Sequence, residues 1–118
     1  MAASPVVLGS TLVTPANAVQ ERKRYSLEIE IYEAEEHVKC HKVGDKFIYP
    51  DDIGELCPWL LTSMHDFLRL MQEGVTFSWK YSGTPYEKVI DTDGVTTEYV
   101  RCPDPTSGLV AKITRRVV

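Results

Sequence analysis

Tyr25, Leu27, Ile29 and Ile31 alternate with Ser26, Glu28, Glu30 and Tyr32. A period of two sends every second side chain to one face, so this stretch predicts a half-buried strand. Lys46-Phe47-Ile48-Tyr49 predicts a second, short strand, stopped by Pro50 and the turn-forming pair Asp51-Asp52. The period then changes. Leu60, Met64, Phe67, Leu68 and Met71 recur at helical spacing and predict one amphipathic helix over residues 58–73. Pro58 suits its first position and Gly74 the position just past its end. Thr62, Asp66, Arg69 and Glu73 form its polar side. Val75 to Lys80 reads as a strand, and Tyr81 to Glu87 as a turn region with Gly83 and Pro85. Lys88 to Ile90 and Val95 to Cys102 read as a hairpin across Asp91-Thr92-Asp93-Gly94. Leu109, Ala111, Ile113 and Val117 alternate with Lys112, Thr114 and Arg116 in a last strand. The sum is a single α+β domain, one main helix packed on a mainly antiparallel sheet of about five strands.

The N-terminal end differs from the rest. Residues 1–20 carry no charge, and the charged run Glu21-Arg22-Lys23-Arg24 marks a boundary. We therefore divide the chain into an apolar arm (1–22) and a compact domain (23–118). Ala16-Asn17-Ala18 has the look of a signal-peptidase site, but a basic n-region is missing and Pro5, Gly9 and Pro15 interrupt the apolar run. The alternatives to a processed signal are a flexible or strand-like arm, and an arm that packs on a neighbouring copy to give a homo-oligomer.

Composition narrows the function classes. Apolar residues make up 43% and charged residues 25% of the chain, ordinary values for a folded domain. Thirteen basic against seventeen acidic residues give a net charge of −4, which disfavours nucleic acid and anionic membrane surfaces as partners. No apolar run reaches the length of a membrane span. Three cysteines are too few and too odd for a secreted disulfide scaffold, so reduced thiols in a cytoplasmic protein are expected.

Cys40, Cys57 and Cys102 all fall beside turn residues at the edges of elements, where buried structural cysteines are uncommon. His37 and His41 flank Cys40. Thiolates and imidazoles on converging loops suit zinc or iron. The spacing is not a zinc signature, since no C-x-x-C occurs and the cysteines stand 17 and 45 residues apart. Cys57 has a second candidate role. Just before a helix, its sulfur would face free backbone N–H groups and the positive end of the helix dipole, which favours a nucleophilic thiolate. His37, His41 or His65 would be its base. Trp59, Trp79 and Tyr81 are candidates for an aromatic substrate pocket near the helix start. Asp91-Thr92-Asp93-Gly94 begins like an EF-hand loop, but Cys102 stands where the bidentate glutamate belongs, so a tight turn is expected. Phosphate-binding glycine loops and the serine-hydrolase elbow are absent from the sequence.

Three fragments, His41-Lys42-Val43-Gly44-Asp45-Lys46-Phe47, Leu56-Cys57-Pro58-Trp59 and Cys102-Pro103-Asp104-Pro105, occur in that order. In combination they resemble a family of small bacterial, archaeal and fungal proteins of uncharacterised function, over roughly residues 25–115. The resemblance implies a cysteine four residues before the motif histidine. Here that position holds His37, and Cys40 directly precedes His41. A cysteine-to-histidine exchange of this kind is what a metal site tolerates.

The leading expectation is a metal site built from Cys57, Cys102 and either His37 or Cys40, with His41 as a further candidate ligand, holding zinc or iron in a small protein acting on or binding a small organic molecule. The catalytic candidates are His41, Cys57 and His65. The alternatives are a cofactor-free isomerase, cyclase or decarboxylase (a small lyase or isomerase) with histidine acid/base chemistry, and a non-enzymatic assembly subunit.

Overall fold

The alternation at residues 25–32 becomes the second strand from one edge of the sheet. The computed structural model describes residues 23–118, so the expected arm and its role in assembly lie outside the described residues. The elements are β1 (Tyr25–Glu33), β2 (Lys46–Tyr49), a single 3-10 turn (Ile53–Glu55), α1 (Pro58–Gln72), β3 (Val95–Arg101) and β4 (Val110–Val117). All pairings are antiparallel, in the order β2-β1-β4-β3.

Register explains the core. Ile29 stands opposite Phe47 on one side and Ile113 on the other, and Ile31 and Val100 stand opposite Ala111. These side chains share one face, onto which α1 lays Leu60, Met64, Leu68 and Met71, each at most 1% exposed. Phe67, at the edge of that stripe, meets Phe77 edge-on at 5.1 Å. The helix stops where Gly74 takes φ +93°. The Gly74 N–H bonds to Met71 O and the Val75 N–H to Leu70 O, the paired closure of a Schellman motif.

The sheet has four strands among the described residues, against about five expected. Residues 75–80 and 88–90, read as strands in the sequence, form no ladder. Lys88 N–H reaches Lys80 O and Thr97 N–H reaches Val89 O, one backbone bond each. The Thr96 and Thr97 hydroxyls take the next positions, accepting from Asp91 N–H and Val89 N–H. Side chains therefore replace the ladder along the free edge of β3. The Asp91–Gly94 tetrapeptide is the expected tight turn, closed by Gly94 N–H to Asp91 O.

Two charged groups lie on the helix-facing side of the sheet, against the simple alternation. Arg115 is 1% exposed. Its guanidinium donates to Met71 O, Val75 O and Thr76 Oγ1 and stacks 4.6 Å over the Tyr25 ring. A cation there faces the negative end of α1 and gives Met71 O a second donor and Val75 O, just past the helix, its donor. Glu98, also 1% exposed, pairs with the buried Lys88 ammonium. Phe77, Trp79 and Tyr81 surround that ammonium, with Trp79 nearest at 4.8 Å. This pair ties the irregular 75–90 segment to β3.

Candidate functional site

The H-K-V-G-D segment is a turn that docks back on β1. Gly44 has φ +95°, the Asp45 N–H bonds to Lys42 O, and the Asp45 carboxylate accepts from Lys42 N–H at 2.9 Å. Gly44 N–H bonds to Ile31 O, and Ile31 N–H to Asp45 O. Glycine at the third turn position supplies the positive φ that such a turn requires. The fold of this turn sends His41 inward, where it is buried and meets Phe47 edge-on at 5.2 Å. His41 Nε2 accepts the Cys57 N–H at 2.8 Å. The ring is therefore neutral with its proton on Nδ1, and burial pushes its pKa below the ordinary histidine value.

Cys57 is the N-cap of α1, and its carbonyl accepts the first helical bond from Leu61 N–H at 2.9 Å. Its sulfur makes no capping bond to the helix. It lines the same cavity as the Cys40 thiol. The expectation that the Cys57 sulfur serves free N–H groups of the helix start finds no such bond: the Cys57 N–H is held by His41, and the sulfur makes no capping hydrogen bond. Partial desolvation, and then the hydrogen bond with Cys57, push the Cys40 thiol up from its ordinary value.

Cys102 follows the last residue of β3, and its N–H closes the β3–β4 loop on Leu109 O at 2.9 Å. Within that loop the Asp104 carboxylate accepts from Thr106 N–H and Thr106 Oγ1, which holds its pKa below the usual carboxylate range. The Ser107 hydroxyl donates to Asp104 O and accepts from Leu109 N–H. Ser107 O in turn accepts from Glu35 N–H, joining this loop to the one that carries His37 and Cys40. Gly108 (φ +60°) lies under the Glu35 side chain, where a Cβ would stand 2.8 Å from Glu35 Cγ.

Three loops therefore converge at one end of the sheet. They enclose a cavity of about 180 Å³ lined by His37, Cys40, Cys57, Trp59, Cys102 and Asp104, among others. All three cysteines are free thiols, Cys40 exposed, Cys57 half-buried and Cys102 buried. Among the described residues, no three His, Cys, Asp or Glu side chains stand close enough together to enclose a metal ion as they are.

The remaining sequence candidates are placed differently. His41 serves the Cys57 backbone through Nε2, and that nitrogen is not free for acid/base work. His65 is exposed on α1, away from the lining of the cavity. The expected aromatic pocket does not assemble from Trp59, Trp79 and Tyr81. Trp59 lines the cysteine cavity, Tyr81 lines a second one, and Trp79 packs on Lys88. The reason is the Lys88–Glu98 anchor, which fixes the 75–90 segment along β3. The reading of the sequence also missed Asp104 and Ser107 as the clamps of the Cys102 loop. The signal was present, since Asp two residues before Thr is an Asx-turn pattern.

Comparison with protein-family models, curated proteins and solved structures finds no match to this chain. No helix among the described residues is long and apolar enough to cross a membrane.

Proposed function

We propose that this chain binds a metal ion, zinc or iron, in the cavity between His37, Cys40, Cys57 and Cys102. One observation carries the proposal: cysteines 17 and 45 residues apart in the sequence line one small cavity together with an imidazole. Three thiols and one imidazole are the donor set that a soft or borderline ion takes. The arrangement is not yet closed, so binding would turn the Cys40 and Cys57 side chains inward and would take the thiols as thiolates. Cys40 is exposed on a loop, and such a turn costs little there. The resemblance noted in the sequence favours the same set, because it implies a cysteine at position 37, where a histidine donor stands here. With Cys57, Cys102 and one of His37 and Cys40 engaged, one position would stay open, and a bound ion would polarise a carbonyl or activate water. Trp59, 65% exposed on the cavity wall, would offer apolar surface to a small organic substrate. A small lyase or isomerase fits that arrangement.

The test is titration of the reduced, chelator-treated protein with cobalt(II). Intense thiolate-to-cobalt absorption at one ion per chain, lost in Cys57→Ser and Cys102→Ser, supports the proposal. Only the weak bands of an oxygen-coordinated ion would refute it. A second reading rests on Cys40 and Cys57 lining one cavity as free thiols, which suits a redox thiol pair. Its mark would be a Cys40–Cys57 disulfide formed with oxidised glutathione in protein that binds no cobalt.

A further inference from the structure

A second cavity, of about 280 Å³, lies where residues 81–86 cross the edge strand β3. None of its lining residues belongs to the cysteine cavity. Tyr81, Tyr86 and Tyr99 supply its aromatic walls, Val100 and Val110 its apolar floor, and Arg101 its cation.

The walls are held in place. Tyr86 and Tyr99 pack edge-on with Tyr32 between ring centroids 5.0 to 6.1 Å apart. The Tyr86 hydroxyl donates to Glu33 at 2.8 Å, and the Tyr32 hydroxyl donates to Pro85 O at 2.8 Å. Tyr81 has φ +53°, a left-handed conformation that bulky side chains rarely adopt. Its carbonyl accepts from Thr84 Oγ1 at 2.7 Å and its hydroxyl from Trp79 Nε1 at 2.9 Å. Strain maintained by surrounding bonds is a mark of ligand clamps.

Arg101 is exposed, and one of its nitrogens touches the Tyr86 hydroxyl at 3.3 Å. No carboxylate of the described residues forms an ion pair with it. The Glu33 charge is directed at the Tyr86 hydroxyl. The remaining guanidinium donors are available to a planar anion, which they match in a two-pronged geometry. The volume is at the small end for ligand sites, enough for one ring and a short acidic group.

We infer that this cavity binds a small aromatic carboxylate, its ring between Tyr81, Tyr86 and Tyr99 and its carboxylate on Arg101. The inference is independent of the metal proposal, because no side chain is shared.

The experiment is a backbone-amide NMR titration of the full chain with benzoate, benzyl alcohol and acetate. Saturable shifts at residues 81–86 and 99–101 are expected with benzoate. Benzyl alcohol, lacking the charge, should bind about 10- to 100-fold more weakly, the range of a charge-assisted hydrogen bond. Acetate, lacking the ring, should give no saturable shifts there. Arg101→Gln should weaken benzoate by the same factor and leave benzyl alcohol unchanged, while Tyr99→Leu should weaken both. Arg101 is at the rim, so its variant keeps the fold, and an unchanged amide spectrum verifies this. Shifts confined to the cysteine cavity, equal binding of benzoate and benzyl alcohol, or an Arg101→Gln variant that binds benzoate normally would each overturn the inference.

Discussion

Removing one partner of the buried Lys88–Glu98 pair should destabilise the domain strongly, and only the variant that keeps Glu98 should regain stability as pH falls. The side chains are 1% and 2% exposed. In Glu98→Gln the Lys88 ammonium keeps only Phe77 O, at 3.2 Å, and the faces of Phe77, Trp79 and Tyr81. An uncompensated buried charge of this kind costs about 3–5 kcal/mol. In Lys88→Met the carboxylate escapes by taking a proton. From its ordinary pKa of 4.5 to pH 7 that costs about 3.4 kcal/mol, which bounds the electrostatic loss. Burial already pushes the Glu98 pKa up in the intact protein. Without Lys88 its folded value stands further above the unfolded one, so the folded state binds the proton first. Stability of Lys88→Met therefore rises as pH falls from 7 toward 5, by up to about 1.4 kcal/mol per pH unit. Glu98→Gln has no carboxyl at this position to take up a proton and should lack that gain at low pH. The double variant Lys88→Met/Glu98→Leu removes both charges and should lie within about 2 kcal/mol of the parent. Urea denaturation followed by tryptophan fluorescence, at several pH values, measures all four proteins. Single variants costing less than about 1 kcal/mol, additive losses in the double variant, or equal pH slopes would refute the reasoning. Because this pair anchors the 75–90 segment, both single variants should also lose benzoate binding at the tyrosine cavity.

Three further outcomes are expected. Gly74→Ala forces a Cβ at φ +93° to within 3.2 Å of the Tyr25 ring and should cost about 1–2 kcal/mol in the same denaturation assay. His41→Ala leaves the Cys57 N–H without its acceptor and removes the contact with Phe47, a loss of about 2–4 kcal/mol. His41 is buried neutral with a lowered pKa, so its contribution is complete above the unfolded value near 6.5 and is lost as pH falls below it. That slope, measured in the presence of a chelator, should be present in the parent and absent in His41→Ala. Alkylation with iodoacetamide should modify Cys40 well before the buried Cys102, and zinc or iron should slow both reactions.

Most of the frame was legible because its periods are clean. Residues 25–32 and the 58–73 stripe each match one period, and Pro58 and Gly74 punctuate the helix on both sides. The 75–90 segment was misread for a physical reason. Its apolar residues satisfy strand patterning, but they face a buried ammonium instead of a ladder, and threonine hydroxyls take up the backbone donors. Glu98 and Arg115 stand at inward positions where alternation expects apolar side chains, and only the fold shows their partners. Of the candidate site, the gathering of Cys40, Cys57 and Cys102 followed from their placement beside turns. The part of His41 did not. A histidine between a cysteine and a tight turn reads as a ligand or base, whereas the turn buries it and commits Nε2 to a backbone N–H. The aromatic candidates were separable only in three dimensions, since tryptophan and tyrosine content says nothing about which cavity each one lines.

The metal proposal is tested most directly by elemental analysis of untagged protein purified without air, alongside Cys102→Ser. Close to one zinc or iron per chain in the parent, and little in the variant, is the expected result. A parent protein that carries no zinc or iron, and takes up neither on anaerobic reconstitution with all three thiols reduced, would contradict it.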